Sequence, residues 1–277
     1  MANLSKLDLV PSARGGAENI VRSRGFEWLA RAGFIARGLV YVIIGILAWK
    51  LAMGSGGTAA NQQGALRAIA HQPFGHALLV LVTIALAGYA LWRLFHAALG
   101  HGSEGSDSTA DRIAALGSGI AYAGLCALAV EILLSSRSGS STSHKTTADL
   151  FGWTAGTWLV GAAGMLMIGV GLYQAYRGVS RDFLKDSKTD EMDPAVQTWF
   201  ESIASVGHVA RAVVFSLVGV FLVKAAVEFN PNKAVGLDGA LAKLANASYG
   251  PYVLGVVATG LVGFGIYSLA DARYRRI

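Results

Sequence analysis

Along the chain, apolar residues gather into six stretches of about twenty, separated by segments in which charged residues, glycine and serine concentrate. The stretches fall at residues 33–53, 76–98, 113–134, 156–177, 206–228 and 250–271. A helix rises about 1.5 Å per residue, so each stretch is long enough to cross a hydrocarbon core of about 30 Å. Backbone N–H and C=O groups in lipid must find partners within the segment itself, which predicts helices rather than isolated strands. The short alternating segments of a membrane β-barrel are absent from the pattern. The sequence therefore predicts an all-α, polytopic integral membrane protein with six transmembrane helices.

The helices come in three pairs that resemble one another. A shift of 81 residues lays Gly38 on Gly119, Tyr41 on Tyr122, Gly75 on Gly156, Leu78 on Leu159, Gly88 on Gly169 and Trp92 on Tyr173. A shift of 174 or 175 lays Gly33 on Gly207, Arg37 on Arg211, Tyr41 on Phe215 and Gly45 on Gly219. It continues with Leu66 on Leu241, Ile69 on Leu244, Gly75 on Gly250 and Gly88 on Gly263. Tandem units in the same orientation predict a pseudo-threefold axis along the membrane normal, unlike the inverted repeats of many transporters. The expected organisation is an N-terminal tail (1–26), repeat 1 (27–100), repeat 2 (110–178), a linker (179–198) and repeat 3 (199–277).

The repeat opens on Ala30-Arg31-Ala32-Gly33-Phe34-Ile35-Ala36-Arg37-Gly38-Leu39-Val40-Tyr41. Gln72-Pro73-Phe74-Gly75 precedes the second helix, and the last unit closes on Asp271-Ala272-Arg273-Tyr274-Arg275-Arg276. These segments resemble a bacterial family of unknown function, number 1206. The resemblance covers essentially residues 27–276, with the three tandem units of that family. It implies a six-helix bacterial membrane protein and implies no activity. The middle copy departs from the pattern, carrying Ser118 where the others carry Arg37 and Arg211, so a role for that arginine is not strictly threefold.

Composition agrees with the pattern. The chain has 277 residues, 53% hydrophobic and 14% charged, with a mean hydropathy of +0.48. Soluble domains carry about a quarter charged residues, so a soluble enzyme is excluded. One cysteine, Cys126, leaves no intrachain disulfide and reads as a small packing residue. Residues 1–25 hold Lys6, Arg14, Arg22 and Arg24 but no apolar run, so the first helix is expected to serve as an uncleaved targeting signal.

A net charge of +6 and a pI near 9.5 raise the question of a nucleic-acid partner. Placement of the charges answers it. Sixteen Lys and Arg lie on the side of the termini and seven on the other. That bias predicts cytoplasmic termini in a bacterial plasma (inner) membrane and makes the basic pI a topology signal, with no nucleic acid implied. The mixed-charge stretch 179–193 reads as a solvated connector.

Among polar positions, those that recur are the most informative. Lys50, Glu131 and Lys224 take equivalent places at the outer ends of the first helices. Arg37 and Arg211 lie 13 residues earlier, about 20 Å lower, on the cytoplasmic side. Long Lys and Arg stems are expected to snorkel to the headgroups. Glu131 reaches less far, and its sharper reading is a pair with Lys50 or Lys224 near the axis. Trp92, Tyr173 and Tyr267 read as an interfacial belt, with a ligand-stacking platform as the alternative. Glycines in the fourth span (Gly152, Gly156, Gly161, Gly164, Gly169, Gly171) and the sixth (Gly255, Gly260, Gly263, Gly265) predict tight helix packing. Leu66 and Ile69, with Leu241 and Leu244 and with Leu150, predict short amphipathic pieces that lie on or cap the bundle.

Other motifs fail on context. Gly100-His101-Gly102-Ser103-Glu104-Gly105 fits a dinucleotide fingerprint but lacks the preceding strand. His71 and His76, or His96 and His101, are five apart, which does not set two ligands on one helical face. His208 reads as a helix-end residue. No catalytic, cofactor-binding or metal-binding set emerges. The sequence points to a non-enzymatic bundle that scaffolds or binds a membrane partner, or self-associates, within the lipid bilayer. A small channel or transporter along the axis is second, with Lys50, Glu131 and Lys224 at its outer mouth.

Overall fold

A computed structural model of the chain describes residues 24–55, 60–99, 109–134, 156–230 and 233–275. The helices among them are α1 (Arg24–Ala52), α2 (Gln62–Ala70), α3 (Gly75–Leu99), α4 (Thr109–Leu134), α5 (Gly156–Ser180), α6 (Pro194–Val227), α7 (Leu237–Ala245) and α8 (Gly250–Tyr274). Six of these, all but α2 and α7, are long and apolar enough to cross a bilayer. The protein is a multi-pass membrane protein. With 29 residues, α1 spans about 44 Å, longer than the hydrocarbon, so its ends reach the headgroup layers.

The short amphipathic pieces form lids on the side away from the termini, here the cap side. Asn61 caps α2 by accepting from the Gly64 N–H at 2.7 Å, which satisfies one of the free donors at a helix start. Leu66, Ile69 and Leu241 are buried beneath the lids. The α2 lid rests on α1, α3 and α4, and the α7 lid rests on α6, α8 and α1. From each lid the chain turns sharply into the next span. A Cβ on Gly75 would stand 2.6 Å from the Ala70 carbonyl carbon, and one on Gly250 would stand 2.8 Å from that of Ala245. Only glycine admits so close an approach, which explains its recurrence. Leu150, the Gly100–Gly105 string and the first 23 residues lie outside the described residues.

The long helices pack as a ring in chain order: α1 on α3, α3 on α4, α5 on α6, α6 on α8, and α8 back on α1. Small residues set the close crossings, as expected where lipid supplies no hydrophobic drive between helices. Within repeats, a Cβ on Gly33 would stand 3.0 Å from the Tyr89 Cα, and one on Gly207 would stand 2.7 Å from the Phe264 Cα. Between repeats, Gly38 lies against Gly265, and Gly219 against Gly164, each too close to its partner's carbonyl oxygen (2.6–2.8 Å) to admit a Cβ. Gly45 meets the Ala258 carbonyl in the same way at 2.9 Å. These crossings follow the repeat register, so the arrangement is pseudo-threefold.

One link of the ring is missing. Among the described residues, α4 and α5, the two spans of the middle repeat, do not pack on each other. Their apolar windows are 11% and 22% buried, against 61% for α1 and 56% for α8. Gly117 and Gly124 on α4, and Gly169 on α5, would meet nothing within 4 Å if given a Cβ. Where repeats 1 and 3 carry Gly33 and Gly207, the middle repeat carries Ala114 in sequence. The glycine that closes the other two pairs is absent from this one.

The connector between α5 and α6 does not behave as a solvated strap. It leaves α5 through Arg181 in the left-handed region (φ 57°) and folds back under the helix ends as two 3₁₀ turns, Asp182–Asp186 and Thr189–Glu191. Phe183, Ser187 and Met192 are buried. An isolated antiparallel β-bridge joins Ser187 to Arg275, with the Lys188 N–H donating to the Tyr274 carbonyl at 2.7 Å. The apolar side chains within the charged run supply the anchor.

An arginine–aromatic cluster as candidate functional site

The polar interior lies on the side of the termini, here the tail side, and is built from all three repeats and the connector. Arg37 points inward from α1. Its Nε donates to Ser268 Oγ, its Nη1 to the Tyr89 hydroxyl at 2.8 Å, and its Nη2 reaches Asp271 Oδ2 at 3.5 Å. The guanidinium also lies 4.7 Å from the Phe34 ring centroid and 5.4 Å from those of Tyr89 and Phe264. Asp271 is completely buried. It accepts from Arg275 Nη1 at 3.4 Å and from Ser187 Oγ at 3.3 Å.

Arg275 then bridges to Asp186 at 3.0 Å, and Asp186 accepts from Arg177 at 2.7 Å. Burial alone would raise the Asp186 carboxyl. The Arg275 and Arg177 guanidiniums outweigh burial and hold it down to about 2, below its ordinary 3.8. At Arg275, burial opposes the charge, but Asp271 and Asp186 more than offset it and stabilise the cation.

Arg211, the repeat equivalent of Arg37, is half-buried. Its guanidinium lies over Phe264 at 4.3 Å, Phe215 at 5.1 Å and Tyr41 at 5.2 Å. Its partner is the Gln174 amide, whose orientation is set by the network. With the carbonyl toward Arg211, that oxygen accepts from Nη1 at 2.8 Å and Nη2 at 3.1 Å. The amide NH2 then faces His208 Nδ1 at 3.3 Å. His208 is itself buried, stacked on Phe183 at 5.2 Å and 21°, with Phe264 and Tyr267 at its edges.

The register gives this cluster a rule. At each crossing between repeats, one position comes from a first helix (Arg37, Ser118 or Arg211) and one from a second helix (Ser268, Arg93 or Gln174). Arg37 bonds Ser268 and Arg211 bonds Gln174. The third crossing carries Ser118 and Arg93, so the arginine has changed sides. Every crossing therefore keeps one guanidinium. Arg93 Nε donates to the Tyr89 hydroxyl at 3.1 Å, beside Arg37, and Tyr122 of α4 meets Tyr89 edge-to-face at 4.5 Å.

The charges do not balance. Among the described residues, five guanidiniums (Arg37, Arg93, Arg177, Arg211 and Arg275) share two carboxylates (Asp186 and Asp271), a surplus of three positive charges. Ring faces compensate in part, at about 0.5–2 kcal/mol per cation–π contact. Several kcal/mol is the cost of withdrawing one ion from water, so the rings alone do not offset it. Arg177 Nε, Arg211 Nε and His208 Nε2 are buried without a hydrogen-bond partner. The arrangement holds cationic donors in excess and suits an anion.

The sequence-derived candidates fall elsewhere or differently. Lys50, Glu131 and Lys224 are all exposed on the cap side. Lys224 lies 4.0 Å from Glu228, which also pairs with Lys233; among the described residues no ion pair joins Glu131 to either lysine. Arg37 turns inward to hydrogen-bond partners rather than snorkelling to the headgroups. Trp92 and Tyr267 are buried in the bundle, against Phe34 and Tyr89 and against Phe183 and Phe200 respectively; Tyr173 alone is exposed. His208 is a central residue rather than a helix-end one, because α6 begins at Pro194 and carries it deep into the cluster. Asp271, Arg275, Gln174, Arg93 and Asp186 were not singled out by their residue types. Aligning second helices as closely as first helices would have exposed the Ser268, Arg93 and Gln174 series.

Three segments of the chain, 32–100, 113–181 and 206–275, match the family described as Domain of Unknown Function (DUF1206). An uncharacterised protein, YxxB of Bacillus subtilis (strain 168), is 30% identical over 250 residues, covering 89% of this chain and 90% of that protein. No solved structure matches the chain.

Proposed function

The chain belongs to the DUF1206 family, and we propose that it is a non-catalytic membrane bundle that binds a partner in the plane of the bilayer, at the gap between α4 and α5. The observation that carries this reading is the missing link in an otherwise complete ring. Among the described residues, five neighbouring pairs pack closely, while the two spans of the middle repeat do not pack on each other and a Cβ at Gly117, Gly124 or Gly169 would meet nothing within 4 Å. The aromatic packing also supports binding over permeation. Rings from all three repeats meet on the tail side, with Tyr89 on Tyr122 at 4.5 Å and Tyr41 on Phe264 at 4.8 Å. Such packing leaves little room for a wide aqueous path.

On this reading both termini are cytoplasmic and the tail-side cluster faces the inner leaflet of the plasma membrane. The charge bias still supports that orientation when the five clustered arginines are set aside, at eleven Lys and Arg against seven.

Photo-crosslinking in native membranes tests the gap. A photoreactive side chain in place of Gly124 or Gly169 is expected to capture a discrete bilayer component, whereas one in place of the lipid-facing Leu81 on α3 is not. Cross-links that join only α4 to α5 would mean the ring is closed in the membrane and would overturn the reading.

A further inference from the structure

We propose that the partner at this gap is an anionic phospholipid, whose phosphate group is bound by Arg93 and Arg211. The proposal rests on the gap reading above and gives it a chemistry. Arg93 and Arg211 are the two clustered guanidiniums to which no carboxylate is paired among the described residues. Arg93 has the Tyr89 hydroxyl and the Trp92 and Tyr89 ring faces, and Arg211 has the Gln174 amide and three ring faces. Both are half-buried, whereas Arg37 and Arg275 are buried and engaged with Asp271.

Each is tied to one of the two helices that border the gap. On the α4 side, Tyr122 packs edge-to-face on Tyr89, whose hydroxyl receives Arg93; on the α5 side, Gln174 holds Arg211. The two cations are linked through shared rings: Arg93 and Arg37 both lie over Tyr89, at 5.6 and 5.4 Å, and Arg37 and Arg211 both lie over Phe264, at 5.4 and 4.3 Å. Arg211 Nε and His208 Nε2 add buried donors that lack an acceptor.

At Arg93 the depth also suits a headgroup. Arg93 lies six residues before the end of α3, about 9 Å along the axis. With 25 residues, α3 overhangs a core of about 30 Å by about 4 Å at each end, which puts Arg93 about 5 Å inside the hydrocarbon. An arginine stem covers that distance. Guanidinium is the group suited to fork onto phosphate oxygens, and basic pockets between spans on the cytoplasmic side are the usual seat of anionic lipid headgroups. The lipid's acyl chains would occupy the gap, and its phosphate would neutralise part of the surplus charge.

The test uses the full-length chain in detergent micelles after exchange from bilayers of mixed phosphatidylglycerol and phosphatidylcholine, with retained lipid counted by mass spectrometry. The wild type is expected to keep roughly one phosphatidylglycerol per chain in preference to phosphatidylcholine. Arg93→Gln with Arg211→Gln is expected to lower that retention at least tenfold. Arg181→Gln, an exposed arginine paired with Glu201, leaves it unchanged. The charge-keeping Arg93→Lys with Arg211→Lys restores part of the retention and controls for loss of fold.

A parallel arm holds the protein in phosphatidylcholine alone and adds inorganic phosphate. Thermal protection there, without lipid retention, keeps the arginines as a phosphate site and replaces the lipid with a soluble source. Equal retention of both lipids, or neither retention nor phosphate protection, overturns the proposal. Because photo-crosslinking reports on the gap irrespective of charge, a gap that captures a protein helix while retaining no anionic lipid would sink this inference and leave the partner reading standing.

Discussion

Replacing Asp271 tests whether the cluster is held by its few anions. Its carboxylate is completely buried and is shared by Arg37 at 3.5 Å, Arg275 at 3.4 Å and Ser187 at 3.3 Å. Asp271→Asn preserves the shape and one acceptor oxygen, but it removes the charge and raises the local surplus from three to four. Breaking a buried pair by removing one partner costs about 3–5 kcal/mol because a charge is left uncompensated. The contacts here are long, so about 3 kcal/mol is expected, a hundredfold or more in the unfolding constant.

Tryptophan fluorescence during unfolding in mixed micelles reads the change, using the six native Trp. A double replacement sharpens the test. Arg37→Met with Asp271→Leu removes both charges and leaves Arg275 with Asp186 at 3.0 Å. That variant is expected to lie within about 1–2 kcal/mol of wild type, since apolar substitutes for a buried pair are often nearly neutral. A cost below about 0.5 kcal/mol for Asp271→Asn, or strict additivity of the two single changes, would refute the reasoning.

Three further outcomes follow from the same geometry. Asp186 has a folded-state pKa of about 2 against an ordinary 3.8, so its contribution is complete above pH 4 and is lost as pH falls toward 2; discounted for its one-third exposure it is about 1–2 kcal/mol, and an acid titration of Asp186→Asn should lack that step. Gly38→Ala places a Cβ 2.8 Å from the Gly265 carbonyl oxygen and should cost about 1–3 kcal/mol, while Gly124→Ala on the open face should be neutral or slightly stabilising in thermal unfolding. Arg93→Ser gives up the bond to the Tyr89 hydroxyl and the Trp92 and Tyr89 ring contacts, and adding Ser118→Arg, which returns a guanidinium to the same crossing, should bring the thermal unfolding midpoint back toward that of the wild type.

The span count and the repeat were legible in the sequence because lipid enforces both: twenty apolar residues are needed at each crossing, and glycines must recur where backbones touch. Gly75 and Gly250 carried their structural cause openly, since the turn from lid to span admits no Cβ in either copy. The cluster was legible only in part. Arg37 and Arg211 announced themselves by recurrence, yet recurrence of a long cation says nothing of whether it turns outward to headgroups or inward to rings. The partners that decide this, Ser268, Asp271 and Gln174, lie more than 200 residues from Arg37 or on the far helix of another repeat.

The departure of the middle copy shows why a first-helix comparison misleads. Read on first helices alone, Ser118 is a lost arginine and breaks the threefold rule. Read across the crossing, Arg93 restores it, because what each crossing keeps is one guanidinium opposite one neutral polar side chain, on whichever helix it sits. The exchange has a consequence for the gap. With Arg93 on α3 and Arg211 on α6, the two guanidiniums without a carboxylate stand on the helices that flank α4 and α5, while the middle repeat contributes Tyr122, Gln174 and Arg177, the last paired with Asp186. A repeat that carries Ala114 in place of the closing glycine and Ser118 in place of the central arginine is one whose two spans can stand apart while the two guanidiniums free of a carboxylate come from its neighbours.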